Sequence, residues 1–145
     1  MDILPLSMTK KMVLIILRSY NAGIRLGDYF SNHGWSVDVA DSGLTALKLM
    51  NLSGHYDLIA TELLLDDVSG LVLCAMASNK TRTVAINNGG HELSRMAVEM
   101  GVDIVLDASI DTYDLLFAAC SIIPSLSPPK YVKKTINKNT KEHTC

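Results

Sequence analysis

At 145 residues the chain has single-domain length, and 48% apolar against 19% charged residues suits a packed core rather than a disordered chain, with no need of disulfides or metal. The formal net charge of -2 hides an asymmetry: up to Ser125 there are eight Lys/Arg and fourteen Asp/Glu, whereas Leu126 to Cys145 holds five Lys and one Glu. An acidic body opposes nucleic-acid binding, and no apolar run reaches the about 18 residues that a membrane span needs.

The three cysteines, Cys74, Cys120 and Cys145, are odd in number and widely spaced, with no C-x-x-C pair and no zinc spacing. Cys74 and Cys120 fall inside apolar helical patterns, so they read as buried free thiols in a reducing compartment. The N-terminus M-D-I-L-P-L-S-M-T-K-K places its lysines after the apolar residues, the wrong order for a secretory signal. The expected location is cytoplasmic.

Met12 to Leu17, M-V-L-I-I-L, is continuous and rich in β-branched residues, which predicts a strand buried on both faces at the centre of a parallel sheet. A helix over Asn21 to Asn32 follows, carrying Ile24, Leu26, Tyr29 and Phe30; its Gly23 and Gly27 imply close packing on the sheet. Trp35 to Ala40 alternates as an edge strand, and Asp41 or Ser42 caps a helix through Met50 with Leu44, Leu47 and Met50 on its inner side. Leu58 to Thr61 gives the third strand, Gly70 to Ser78 a short helix and Thr83 to Ile86 the fourth strand, ending at N-N-G-G. His91 to Met100 is amphipathic with Leu93, Met96, Ala97 and Met100 inward; Ile104 to Leu106 and Thr112 to Ile123 supply the last strand and helix. Five alternations predict an α/β fold: a doubly wound five-stranded parallel sheet with helices on both faces. Residues 1–10 read as an N-terminal extension, 11–123 as the domain, and 124–145 as a basic flexible tail or linker.

Open α/β sheets place ligand sites beyond the C-terminal ends of their strands, and there the chain offers Glu62, at the end of a buried strand and the start of an acidic loop closed by Gly70. The loop after the first strand, R-S-Y-N-A-G, has neither G-x-G-x-x-G nor a phosphate-cradling G-K-S/T, and no G-x-S-x-G elbow occurs. None of His33, His55, His91 and His143 adjoins a nucleophile in sequence; all four read as surface residues.

Y-D-L-I-A-T-E-L-L-L-D-D-V-S-G-L, together with G-W-S-V-D-V-A-D-S-G-L-T-A-L-K-L-M and M-G-V-D-I-V-L-D-A-S-I-D, resembles the receiver domain of two-component response regulators, over Lys11 to about Ile123. The resemblance implies a flavodoxin-like (CheY-like) three-layer sandwich. It also implies that Glu62 stands where the family has its phosphoacceptor aspartate, and that Leu17 and Arg18 replace the acid pair that holds Mg²⁺. Ala108 replaces the lysine of the fifth loop, and Ile86 or Asn87 the hydroxyl residue that ends the fourth strand.

A Mg²⁺ ion wants carboxylate oxygens, and without metal and lysine the charge on a transferring phosphoryl group has no preorganised partner. The chain therefore resembles the degenerate, pseudo-receiver branch. The expectation is no enzyme, no metal and no cofactor, but a regulatory module acting through a protein partner or a second copy of itself. The face in which such receivers meet partners would include Glu92, Arg95, Glu99, Asp111 and Tyr113. Two alternatives are a receiver with non-standard phosphorylation or Mg²⁺ binding, using Asp66 and Asp67, and the receiver part of a transcription regulator. Specific DNA binding by this chain alone is not expected. Arg18 and Glu62, at the tops of neighbouring strands, should form an ion pair.

Overall fold

The computed structural model describes residues 10–109 and 112–123. Five strands, β1 (Met12–Ile16), β2 (Ser36–Ala40), β3 (Leu58–Glu62), β4 (Arg82–Asn87) and β5 (Ile104–Asp107), alternate with helices α1 (Tyr20–Asn32), α2 (Gly43–Ser53), α3 (Gly70–Met76), α4 (His91–Glu99) and α5 (Thr112–Ile122). All strand pairs are parallel, in the order β2-β1-β3-β4-β5. The doubly wound sheet expected from the sequence is the fold. Residues 1–9 of the expected N-terminal extension 1–10, and the expected tail 124–145, lie outside the described residues.

The period-2 geometry of a strand sorts β1 between two cores. Val13 and Ile15 pack with Leu26 and Phe30 of α1 and Leu115, Leu116 and Ala119 of α5; Leu14 and Ile16 pack with Ala46 of α2 and Leu73 of α3. On that second face Leu63, Leu71, Ala85 and Ala97 extend the core under α3 and α4. Burial on both faces is what the run M-V-L-I-I encodes, but the middle strand is β3, not β1. A continuous apolar run marks an interior strand, and both β1 and β3 satisfy that condition.

Gly23 and Gly27 do sit against the sheet: a Cβ on Gly23 would meet Val39 Cγ1 at 2.7 Å, and one on Gly27 would meet Val37 Cγ1 at 3.0 Å. Trp35, just before β2, is buried edge-on against Phe30, with ring centroids 5.1 Å apart. Strand β2 is an edge, as its alternation indicated.

Three helix faces differ from expectation. On α1 the buried residues are Gly23, Leu26, Gly27 and Phe30, and Ile24 is 38% exposed. On α2 the buried residues are Gly43 and Ala46, so Leu47 and Met50 pack inward while Leu44 is 56% exposed. On α4 Ala97 is buried and Leu93 packs beside it, but Met96 and Met100 are 39% and 49% exposed. Each helix meets the sheet through a small residue, which brings it close and leaves a narrower buried stripe than its apolar content suggests. Among the described residues no helix is long and apolar enough to cross a membrane.

Candidate functional site at the strand tops

The C-terminal ends of β1 and β3 place Arg18 and Glu62 together. Ile16 pairs with Thr61, and the chain leaves β1 through Leu17, whose N–H donates to Ala40 O at 3.1 Å while its side chain packs on the α1/α5 core. Ser19 then caps α1, its Oγ accepting from Ala22 N at 3.2 Å. Arg18 is thereby held at the mouth of the strand. Its main-chain N–H donates to Glu62 Oε1 at 2.7 Å, and its guanidinium Nε lies 3.5 Å from the same oxygen. The expected ion pair is present, with side-chain exposures of 50% for Arg18 and 18% for Glu62. The shorter contact, however, is made by the backbone. Sequence comparison of side-chain types gives no sign of it.

Glu62 is fixed from below as well. Leu63 N–H donates to Ile86 O at 3.0 Å, Gly70 N–H donates to Leu63 O at 2.9 Å, and Thr61 Oγ1 donates to Glu62 O at 2.9 Å. The acidic loop thus returns directly onto the end of β3. A Cβ on Gly70 would stand 2.1 Å from Glu62 O, so the return is open only to glycine.

Of the two loop acids, Asp66 is exposed and Asp67 is engaged elsewhere. Asp67 Oδ1 accepts from Gly43 N at 2.8 Å and Val68 N at 2.7 Å, and Oδ2 accepts from Leu44 N at 3.0 Å. Asp67 therefore shares the N-terminus of α2 with the cap Ser42, whose Oγ accepts from Thr45 N. The N–H groups of Leu44, Val68 and Gly43 hold its carboxyl below the usual carboxylate range. Among the described residues no three His, Cys, Asp or Glu side chains gather where they could hold a metal ion.

The remaining positions flank this centre without entering it. Ile86 is buried in the α1/α5 core and sits opposite Glu62 in the β3–β4 register. Asn87 turns into its own loop: Nδ2 donates to Gly90 O at 2.7 Å, and Oδ1 accepts from Gly89 N at 2.9 Å and Gly90 N at 3.3 Å. Ala108 is exposed just past β5, where it brings no charge. On α4, Arg95 Nη1 donates to Glu99 Oε2 at 2.6 Å and Nη2 contacts Glu92 Oε2, so these three candidate contact residues form one exposed ladder along the helix. Asp111 and the side chain of Tyr113 lie outside the described residues.

Asn88 belongs to the site although no sequence motif marks it. Its Oδ1 accepts from Leu64 N at 2.9 Å and its Nδ2 donates to Leu64 O at 3.2 Å, tying the loop after β4 to the loop after β3. Only its position beyond the end of β4 hinted at this, because the partner is backbone. Of the histidines, His33, His55 and His91 are exposed as expected; His33 Nδ1 contacts Tyr29 O, and His55 Nε2 lies 3.2 Å from Asp57 Oδ1. His143 lies outside the described residues. Cys74 is a free, partly buried thiol, and burial, reinforced by the nearby Asp103 carboxylate, pushes its pKa up to about 12. The Cys120 side chain and Cys145 lie outside the described residues.

No protein-family model and no curated protein sequence matches the chain. Solved structures do. The fold is similar to a CheY-like response regulator receiver domain protein from Methanospirillum hungatei JF-1, at 16% identity and TM-score 0.75, over 81% of this chain and 96% of that one. It is similar to a receiver domain protein from Clostridium thermocellum, at 16% identity and TM-score 0.73, over 79% and 95%. A response regulator from Burkholderia pseudomallei, solved with a phosphorylated aspartic acid and a calcium ion, shares 22% identity at TM-score 0.68, over 93% and 86%. The chain has the fold of a CheY-like receiver domain.

Proposed function

We propose that the chain is a degenerate receiver, a regulatory module that works through contacts with a protein partner or a second copy of itself and carries out no phosphoryl transfer. The observation that carries this reading is the state of Glu62 at the receiver's phosphoacceptor position. Its Oε1 accepts the Arg18 main-chain N–H, with the guanidinium alongside, where the family resemblance calls for a metal-binding acid. A cation beside a carboxylate supplies internally the plus–minus contact that a divalent ion would otherwise bring, and it repels a second cation. Leu17 is packed on the core, Ala108 has no charge, and Asp67 is committed to the start of α2, which weighs against the alternative of non-standard phosphorylation or Mg²⁺ binding. Activity would then lie in the surface that the fold presents, with the Glu92–Arg95–Glu99 ladder as one candidate contact.

The test is treatment with acetyl phosphate, or with beryllofluoride and Mg²⁺, read by intact mass and by amide resonances. The expected result is an unchanged mass and unchanged Arg18 and Glu62 resonances. A phosphorylated mass or metal-dependent shifts at those residues would overturn the reading. Light scattering after size exclusion then distinguishes self-association from a monomer that needs another partner.

A further inference from the structure

The two-bond clasp between Asn88 and Leu64 has a chemical weakness built into it. Of the asparagines in the sequence, only Asn88 precedes glycine. An asparagine–glycine pair is the one most open to self-catalysed deamidation, because no side chain shields the following amide nitrogen. Gly89 is exposed, and Asn88 is half-buried.

We propose that the Asn88–Gly89 pair is a modification site that acts as a one-way latch: its deamidation releases the β3–α3 loop from the β4–α4 loop. The Gly89 main-chain nitrogen loses its proton and attacks the Asn88 carboxamide carbon. A new C–N bond closes a cyclic succinimide, the bond to the side-chain nitrogen breaks, and that nitrogen leaves as ammonia with the proton. Water then opens the ring, giving aspartate or, by opening at the main-chain carbonyl, isoaspartate. No oxidant or reductant is involved.

The folded structure restrains the first step. The Asn88 carboxamide is pinned at both ends on Leu64, and the Gly89 N–H is held on Asn87 Oδ1 at 2.9 Å. Attack therefore requires the clasp to open. Once the reaction has run, the clasp does not re-form as it was. Either product can still offer an oxygen acceptor, but neither has the proton that Asn88 Nδ2 donates to Leu64 O, and a carboxylate against that carbonyl is repulsive. Isoaspartate also lengthens the main chain by one carbon and shortens the side group, so its reach to Leu64 changes. Leu64 lies two residues beyond Glu62, and its side chain rests over Gly89, where a Cβ would meet Leu64 Cδ1 at 2.8 Å. Release is thus felt beside the candidate site and at the start of α4. The latch stands whether or not Glu62 is inert to phosphoryl donors.

The experiment ages the full-length folded chain in mildly alkaline buffer beside a urea-unfolded control, with peptide mass mapping and isoaspartate detection at Asn88. Amide exchange at Leu64 is compared in fresh protein, aged protein and Asn88→Asp. Deamidation should appear at Asn88 in the folded chain but more slowly than in urea, and Leu64 should exchange about tenfold faster in both aged and variant protein. An intact Asn88 in the folded chain after the control has converted would overturn the proposal, as would equal rates in the two. Unchanged Leu64 exchange after conversion would overturn the latch. If Asn88→Asp does not fold, aged wild-type protein supplies the same comparison.

Discussion

Glu62 Oε1 receives both the main-chain N–H of Arg18, at 2.7 Å, and the guanidinium Nε, at 3.5 Å, and these two contacts respond to different substitutions. Arg18→Ala removes only the half-exposed guanidinium and should cost about 0–1 kcal/mol. Glu62→Ala removes the acceptor of the backbone bond as well and should cost about 1–2 kcal/mol, with faster exchange of the Arg18 amide. Because Glu62→Gln keeps an oxygen acceptor, the coupling between Arg18→Ala and Glu62→Gln in urea denaturation should stay below about 1 kcal/mol. A much larger coupling would mean that the guanidinium, not the backbone, holds the site closed.

Asp67 gives the fold an acid-sensitive joint. Its folded pKa lies below the ordinary value of 3.8 because the N–H groups of Leu44, Val68 and Gly43 favour the ionised form. The unfolded chain then takes up the proton first as pH falls. The stability from this group is full above pH 3.8, shrinks as pH drops through the interval down to the folded pKa, and is absent below it. The expected outcome is that Asp67→Asn flattens the acid limb of the thermal midpoint against pH. An unchanged acid limb would place the responsible carboxylates elsewhere.

The sheet was legible because each strand is written in its own few residues. M-V-L-I-I declares burial on two faces, and the glycines of α1 declare a close approach to the sheet. What the sequence does not spell out is long-range and involves the backbone. Asp67 caps a helix that begins 24 residues earlier in the chain, and Asn88 binds the backbone of a residue the same distance before it. No local pattern carries such partners. Helix facing escapes the sequence pattern for a related reason. Leu44 and Met96 fit an apolar periodicity, but the small residues Ala46 and Ala97 decide which side docks.

Gly70 should be the least replaceable glycine of the site. The Cβ of Gly70→Ala would lie 2.1 Å from Glu62 O, against backbone that is itself anchored by the β3–β4 ladder, and relief requires moving the strand end. The expected loss is about 3 kcal/mol or more in denaturant unfolding. Gly54 is a useful control, since its φ of +84° strains any side chain while the space around it is open. Gly54→Ala should cost about 1–2 kcal/mol and leave the Arg18 amide undisturbed. Equal losses in the two variants would show that the close approach at Gly70 is relieved by easy backbone movement.

Tyr56 links three elements at the far side of the second core. Its buried ring stands just before β3, its hydroxyl donates to Asp38 Oδ2 of β2 at 2.6 Å, and Ser53 Oγ at the end of α2 lies 2.9 Å away. Burial, followed by the hydrogen bond to Asp38, pushes the phenol from its ordinary 10.0 up to about 12. The folded state therefore favours the neutral phenol. Its contribution is complete below pH 10.0 and is lost as pH rises toward about 12, since the unfolded chain ionises first. Phenolate absorbance should show Tyr56 ionising late in the folded protein. Tyr56→Phe should remove that late titration and cost about 1–2 kcal/mol at neutral pH, because Asp38 loses its donor. The variant should also remove part of the alkaline fall in stability. If the wild-type and Phe proteins lose stability in parallel above pH 10.0, the Tyr56–Asp38 bond does not control that limb.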